Sequence, residues 1–85
     1  MYALAFLPTG WEDYQHWQQT DKAVLKRLNS LLRDLQRTPL TGLGKPEPLR
    51  YERAGTWSRR ITEEHRLVYR VEEEIVWILQ CRYHY

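Results

Sequence analysis

The sequence has little of what marks a secreted or membrane protein. Its one cysteine, Cys81, excludes a disulfide within the chain and fits a reducing cytoplasm. No apolar run approaches the roughly 20 residues that a membrane-spanning helix needs. The opening stretch MYALAFLP has no basic segment of the kind that begins a signal peptide. We therefore expect a cytoplasmic protein.

Motifs for metal-dependent and nucleotide-dependent chemistry are also missing. Cysteine and histidine do not occur at metal-ligand spacing, and Glu63–His65 is interpreted as a polar turn rather than a metal site. There is no P-loop, dinucleotide fingerprint or Ser-His-Asp order. Cys81 shares its alternation with Trp77 and Leu79, so we expect a small buried residue rather than a nucleophile. We expect neither a metal nor a cofactor.

Neither sign of charge is in large excess, whereas aromatic residues are plentiful. Thirteen Lys and Arg stand against eleven Asp and Glu, a net charge of +2, so any polyanion must meet a local basic patch. Aromatic residues make up 13% of the chain, and they can either thicken a small core or stack on nucleobases. The 85 residues suffice for a single domain spanning 1–85.

The order of predicted elements indicates an α+β fold. Tyr2–Leu7 has the composition of a short strand, and the Thr9/Glu12 spacing suggests a capping box for a first helix from about Gly10 to Gln19. A leucine stripe predicts a second helix from Asp21 to about Arg37, capped by Thr20 or Asp21 and buried along one side.

The second half of the chain has the alternation of a β-sheet. Four candidate strands lie at Leu49–Arg53, Thr56–Thr62, His65–Val71 and Ile75–Tyr85. Their short connections predict a four-stranded antiparallel meander with both helices packed on one face. Before it, the stretch TPLTGLGKPEP holds two glycines and three prolines, which predicts a long loop that is either mobile or functional.

Alternation assigns several polar residues to the sheet face that lies away from the helices. Arg66, Arg82 and His84 are expected there. A two-residue turn at Glu63–Glu64 would place Arg60 on the opposite face from Arg66. A connection of three or five residues, or a bulge, would place both arginines on the same face, and we predict this arrangement if both serve one site.

RNA cleavage by the 2′-hydroxyl is a reaction that needs neither metal nor cofactor. It requires a base for that hydroxyl, a cation for the phosphorane and an acid for the leaving 5′-oxygen. Glu47, Arg66 and His84 could fill these three roles. Taken singly, they are more commonly a loop carboxylate, a surface strand residue and a frayed terminal residue.

The strings DYQHWQQTDK, RTPLTGLGKPEPLR, WSRRITEEHRLVYRV and CRYHY closely resemble the YoeB family of bacterial toxins, within the RelE/ParE toxin–antitoxin superfamily. The similarity runs from Glu12 to Tyr85. It implies a RelE-like fold and a metal-independent toxin that cleaves mRNA in the ribosomal A site, where rRNA surrounds it. The products would carry a 2′,3′-cyclic phosphate and a 5′-hydroxyl. It also implies a homodimer and an antitoxin whose acidic, disordered segment wraps the toxin.

The resemblance also implies roles for individual residues. Glu47 corresponds to the general base, Arg66 to the phosphate-stabilising arginine, His84 to the general acid and Tyr85 to a residue that arranges the substrate. Arg60 and Arg50 are the implied contacts with phosphate and RNA. Lys45 and Arg59 are implied to assist electrostatically. Arg50 replaces a lysine that is frequent in the family, and its planar guanidinium differs from a lysine's point charge.

Two alternatives to a nuclease stay open. A superfamily member that poisons a DNA topoisomerase by binding alone would need neither Glu47 nor His84, so their joint presence favours the nuclease. An inert scaffold or regulator, whose arginines only neutralise the two glutamate blocks, would not halt translation when expressed. Expression separates the three alternatives. Both kinds of toxin should arrest growth and the scaffold should not, and only the nuclease should lose this effect in variants of Glu47 and His84.

Overall fold

The fold is a five-stranded sheet with two helices on one face. In the computed structural model, which describes residues 1–84, the elements in chain order are β1 Ala3–Phe6, α1 Pro8–Thr20, α2 Lys22–Arg37, β2 Glu47–Pro48, β3 Thr56–Arg60, β4 Arg66–Glu72 and β5 Ile75–Gln80. The strand order across the sheet is β1-β5-β4-β3-β2. β1 runs parallel to β5 and the other pairs are antiparallel, so the predicted α+β class is confirmed.

The two helices begin in different ways. Asp21 caps α2, because its Oδ1 accepts hydrogen bonds from the backbone N–H groups of Ala23 and Val24, each at 3.1 Å. α1 begins at Pro8, and no side chain caps it. The predicted Thr9/Glu12 capping box is therefore wrong. Proline suits a first turn because its missing N–H would have no helical partner there.

Two of the strand predictions are also wrong. Leu49–Arg53 forms a loop, and the first strand of the meander is the two-residue β2, which lies at the sheet edge. Proline is tolerated at an edge because no neighbouring strand needs its N–H on the outer side. The last strand was expected to run to the end of the chain, but β5 ends at Gln80.

A bulge in β5 changes which side chains face the helices. Tyr69 of β4 pairs with Ile78 while its neighbour Val68 pairs with Gln80, so Leu79 is an extra residue. The predicted alternation therefore breaks at Leu79. Cys81 lies in the core with Ile78, not on the side of Leu79, although its predicted burial is confirmed.

The core lies between the helices and one face of the sheet. Its buried members from α2 are Leu28, Leu31, Leu32 and Leu35, which confirms the predicted leucine stripe. We call the other sheet face, which carries Ser58, Val68 and Gln80, the open face. No helix within residues 1–84 is long and apolar enough to cross a membrane.

Candidate active site

The connection between β3 and β4 brings two arginines together. Arg60 pairs directly with Arg66, so five residues, 61–65, join the strands. Directly paired residues of an antiparallel sheet project from the same face. The register that was predicted for a shared site is therefore the one that occurs.

Glu47 lies in the neighbouring row of the same face. Glu47 pairs with Ser58, Ser58 with Val68 and Val68 with Gln80, so these four residues form one row across the strands. Arg60 follows Ser58 by two residues and projects the same way. By general sheet geometry, the Cβ atoms of Glu47 and Arg60 are diagonal neighbours roughly 7 Å apart.

The tail, residues 81–84, is fixed to the rest of the molecule at Cys81. The backbone N–H of Cys81 donates to Oδ2 of Asp13 at 3.0 Å, and its carbonyl accepts from Nε1 of Trp17 at 2.8 Å. Both partners belong to α1. The tail therefore leaves β5 in a defined direction.

Beyond Cys81 the tail runs beside β4. The carbonyl of Tyr83 accepts from the backbone N–H of Arg66 at 3.0 Å, and Nε2 of Gln80 contacts the carbonyl of His84 at 3.5 Å. Gln80 belongs to the same row as Glu47. The edge strand and the middle of the sheet thus place Glu47 and Arg66 on the open face, and the tail brings the backbone of His84 beside Gln80 of the same row as Glu47.

A cavity of about 480 Å³ lies at this region. Glu47 and Gln80 line it together with residues 48–52, which include Arg50. Arg50 and Lys45 are both exposed. Three of the predicted contacts, Glu47, Arg50 and Lys45, are thus accessible from solvent near one another in the chain. Tyr85, the fourth predicted catalytic residue, lies outside the described residues.

Arg66 is only 8% exposed and is oriented by the turn that precedes it. Its Nη1 donates to the carbonyls of Thr62, Glu63 and His65 at 2.7, 3.0 and 3.2 Å. The turn therefore fixes the guanidinium through Nη1.

Backbone strain occurs close to both candidate proton-transfer groups. Lys45 has φ 52° and Tyr83 has φ 63°, in the left-handed region that side chains rarely adopt. Lys45 precedes Glu47 by two residues, and Tyr83 directly precedes His84. Such strain costs on the order of 1–3 kcal/mol and persists where the surroundings enforce it, commonly at functional sites.

Arg59 occupies the opposite side of the sheet from Arg60. It is completely buried, and its Nη1 lies 2.6 Å from Oδ2 of Asp34 in an ion pair. Its Nε donates to the hydroxyl of Tyr69 at 3.1 Å. Because a strand alternates its side chains between two faces, Arg59 is removed from the RNA-contacting set that the resemblance implied.

Arg59 instead holds the glycine- and proline-rich loop, residues 38–46. Its Nη2 donates to the carbonyls of Thr38 and Thr41 at 2.7 and 2.8 Å, and its Nη1 donates to that of Leu43 at 3.1 Å. The hydroxyl of Tyr69 donates to the carbonyl of Pro39 at 2.6 Å. This network positions the segment that leads directly to Glu47.

Two glycines let the 38–46 loop approach so closely. A Cβ at Gly42, where φ is +115°, would overlap the Asp34 carboxylate. A Cβ at Gly44, where φ is +79°, would lie 3.0 Å from the carbonyl oxygen of Arg60. Gly44 also accepts a 2.7 Å hydrogen bond from the N–H of Arg60. The loop was expected to be either mobile or functional, and these contacts, which hold it against the sheet, favour the second alternative.

Two ionisable groups at the base of the site have shifted pKa values. Hydrogen bonds from Arg59 and from the backbone of Leu43 hold the pKa of Asp34 below its usual value of 3.8, against an opposite effect of partial burial. Burial, reinforced by the nearby charge of Asp13, raises the pKa of the Cys81 thiol to about 12. Cys81 is thus a neutral packing residue.

Two residues at the site were missed by the sequence interpretation. Asp34 lies in the second helix, and nothing in the sequence connects it to Arg59, which lies 25 positions away. His65 was interpreted as part of a polar turn. Its Nδ1 accepts a 2.7 Å hydrogen bond from the backbone N–H of Tyr83.

Comparison with known proteins shows the family of this chain. The family model described as the YoeB-like toxin of bacterial type II toxin-antitoxin systems matches residues 6–85. Toxin YoeB of Escherichia coli K12 is 57% identical over 75 residues, which cover 88% of this chain and 89% of that protein. Toxin YoeB of Mycobacterium bovis is 47% identical over the full length of both. The chain therefore belongs to the YoeB toxin family.

Solved structures resemble the fold closely. A YoeB/ParE toxin from Agrobacterium tumefaciens has a TM-score of 0.93 and 49% identity, with 98% of this chain and 99% of that chain covered. A YoeB dimer from Staphylococcus aureus has a TM-score of 0.90 and 45% identity, with 99% and 98% covered. A YoeB-YefM complex from the same organism has a TM-score of 0.88 and 43% identity, with 100% and 99% covered.

Proposed function

We propose that this protein is a ribosome-dependent endoribonuclease that cleaves mRNA and so inhibits translation. One observation carries the proposal. The sheet register and the tail bring a carboxylate, two arginines and a histidine to one region of the open face. These are the groups that cleavage by an internal 2′-hydroxyl requires. Membership of the YoeB toxin family supports the same conclusion.

Each group has one step in the proposed reaction. The carboxylate of Glu47 takes the proton of the 2′-hydroxyl, and O2′ attacks the adjacent phosphorus. The guanidinium groups of Arg66 and Arg60 stabilise the negative charge of the phosphorane. The P–O5′ bond then breaks while the imidazolium of His84 gives its proton to O5′. The products carry a 2′,3′-cyclic phosphate and a 5′-hydroxyl, so atoms and charges balance.

Other residues would hold the RNA in place. Lys45 and Arg50 are exposed cations beside Glu47 and would contact backbone phosphates. Tyr85 would arrange the substrate next to His84. Arg59 has no part in substrate contact, because its donors are used within the protein.

The proposed partners follow from the family. The substrate is mRNA in the ribosomal A site, with rRNA completing the surroundings, in the cytoplasm. Relatives from Staphylococcus aureus form a dimer and a complex with YefM. We therefore propose a homodimer and a cognate antitoxin with an acidic, disordered segment for this chain.

The test is cleavage of ribosome-bound mRNA, with the new ends analysed chemically. Glu47→Gln and His84→Gln should each lower the cleavage rate by about 10²–10⁴-fold, because each removes one proton-transfer group. Glu74→Gln, in an exposed turn, is the matched control and should cleave normally. Naked RNA should be cut much more slowly than ribosome-bound mRNA.

Three results would contradict the proposal. Full activity in both variants would remove the assigned acid and base. Equal rates on naked and ribosome-bound RNA would remove the ribosome dependence. Growth arrest that persists in Glu47→Gln without any cleavage would favour a toxin that acts by binding, such as a topoisomerase poison.

A further inference from the structure

We propose that His65 is a positioning residue that fixes the tail and thereby places His84 for catalysis. The inference rests on the proposed function, in which His84 is the general acid. His65 acts through the backbone of Tyr83, the residue directly before His84. Nothing in the reaction described above uses its side chain.

The hydrogen bond between His65 and Tyr83 determines the tautomer of the imidazole. Nδ1 accepts the backbone N–H of Tyr83 at 2.7 Å, and a ring nitrogen can accept only when it carries no proton. In the neutral ring the proton therefore resides on Nε2. That atom lies 3.5 Å from Oε1 of Glu64, which can accept it. Glu64 thus favours the tautomer that the tail needs.

Both backbone polar groups of Tyr83 are held by adjacent residues. His65 accepts its N–H, and the backbone N–H of Arg66 donates to its carbonyl at 3.0 Å. This double attachment explains how Tyr83 keeps a φ of 63°. Because Arg66 is also the proposed phosphate-stabilising residue, the attachment sets the position of the acid relative to the cation.

The imidazole of His65 is itself held by packing. Its ring meets Trp17 edge to face, with centroids 4.7 Å apart, and its side chain is 13% exposed. Trp17 also donates to the carbonyl of Cys81, at the start of the tail. One aromatic residue of α1 therefore supports both ends of the Cys81–Tyr83 segment.

The experiment distinguishes the hydrogen-bond acceptor of His65 from the packing of its ring. His65→Phe keeps an aromatic ring but has no acceptor, and His65→Gln offers an oxygen near the Nε2 position instead of Nδ1. His65→Asn has no ring but carries an oxygen near the Nδ1 position. His16→Phe is the matched control, because His16 also packs on Trp17, with centroids 4.8 Å apart.

Two quantities are measured on each variant. The first is the hydrogen-exchange rate of the Tyr83 amide, and the second is kcat and KM for ribosome-bound mRNA. We expect His65→Phe and His65→Gln to speed exchange and lower kcat by roughly tenfold each, with KM little changed, because one hydrogen bond is lost. His65→Asn should restore much of both, and His16→Phe should match the wild type.

Several outcomes would overturn the inference. Unchanged exchange and kcat in folded His65→Phe or His65→Gln would show that the tail does not need the acceptor. An impaired His65→Asn variant, at an unchanged unfolding midpoint and beside a His65→Phe variant that behaves like the wild type, would assign the effect to ring packing. If the wild type cleaves nothing, the proposed function fails, and Tyr83 exchange still decides whether His65 anchors the tail.

Discussion

The two segments that carry the proposed base and acid are held in place in different ways. The 38–46 loop, which leads to Glu47, is fastened from inside by the buried guanidinium of Arg59 and its ion pair with Asp34. The tail, which carries His84, is fastened by hydrogen bonds of its backbone to side chains of α1 and of His65 and to the backbone of Arg66. Loop position is therefore tied to a buried ion pair, whereas the position of the tail beyond Cys81 depends on separate hydrogen bonds.

The largest expected effect comes from removing the buried cation of the loop. Arg59→Met removes the guanidinium donors that bind the carboxylate of Asp34 and three backbone carbonyls. Breaking one side of a buried ion pair costs about 3–5 kcal/mol, so the free energy of unfolding should fall by that amount. Urea unfolding measures it.

The adjacent arginine is the matched control. Arg60→Met removes the same charge from an exposed position on the open face, so the free energy of unfolding should change by less than about 0.5 kcal/mol. Cleavage should nevertheless fall, since Arg60 is proposed to contact phosphate. Equal losses of unfolding free energy in Arg59→Met and Arg60→Met would contradict the assignment of Arg59 to the buried face and Arg60 to the exposed face.

A smaller loss is expected when the loop can no longer approach the sheet. Gly44→Ala puts a side chain at φ +79° and a Cβ 2.9 Å from Cδ2 of Leu31. Such a residue costs on the order of 1–3 kcal/mol, and it should also displace Glu47 and lower cleavage. Gly55→Ala, at φ +86° in the turn before β3, with a Cβ 3.1 Å from the carbonyl oxygen of Val71, is the control for similar strain outside the loop. Equal cleavage rates of the folded Gly44→Ala and Gly55→Ala variants would show that Gly44 does not help to position Glu47.

Acid should weaken the loop attachment in a defined direction. The pKa of Asp34 is lowered in the folded protein, mainly by the hydrogen bond from Arg59. The ion pair therefore stabilises the fold above the unfolded pKa of about 4, and this contribution is lost as the pH falls through the lower folded pKa. The difference in unfolding free energy between the wild type and Asp34→Asn should shrink across that window. A difference in unfolding free energy that stays constant from neutral pH into acid would contradict this prediction.

The smallest effect concerns Cys81, at the start of the tail. With a pKa of about 12, the thiol at pH 8 holds roughly 10³-fold less thiolate than an ordinary cysteine. Iodoacetamide should therefore label the native protein very slowly and the urea-unfolded protein readily. Rapid labelling of the native protein would show that the tail detaches from α1 often.

Sequence patterns predicted the fold where one periodicity dominated. The leucine stripe located α2, one of the two predicted caps, Asp21, is the one that occurs, and alternation located β3 and β4. The bulge at Leu79 was missed because one extra residue in a run of apolar residues leaves no mark in composition. Leu49–Arg53 was assigned as a strand from local alternation, whereas pairing with Ser58 and Trp57 decides that β2 is Glu47–Pro48.

For the site, the sequence supplied candidate groups but not their surroundings. Glu47, Arg66 and His84 followed from the reaction's needs and from the family resemblance. The placement of Arg60 on the same face as Arg66 depends on strand register, which the five-residue connection fixes. The attachment of Arg59 to Asp34 and of Tyr83 to His65 joins residues 25 and 18 positions apart, and such contacts exist only after folding.

The shortness of β2 has a consequence for solubility as well as for the site. An edge strand normally presents unpaired backbone groups on which another chain can add a strand, and this is a common route to aggregation. Here the edge has two residues, one of them proline, and a second proline precedes it. The margin beside Glu47, the proposed general base, is thus a poor template for β-sheet extension by a neighbouring molecule.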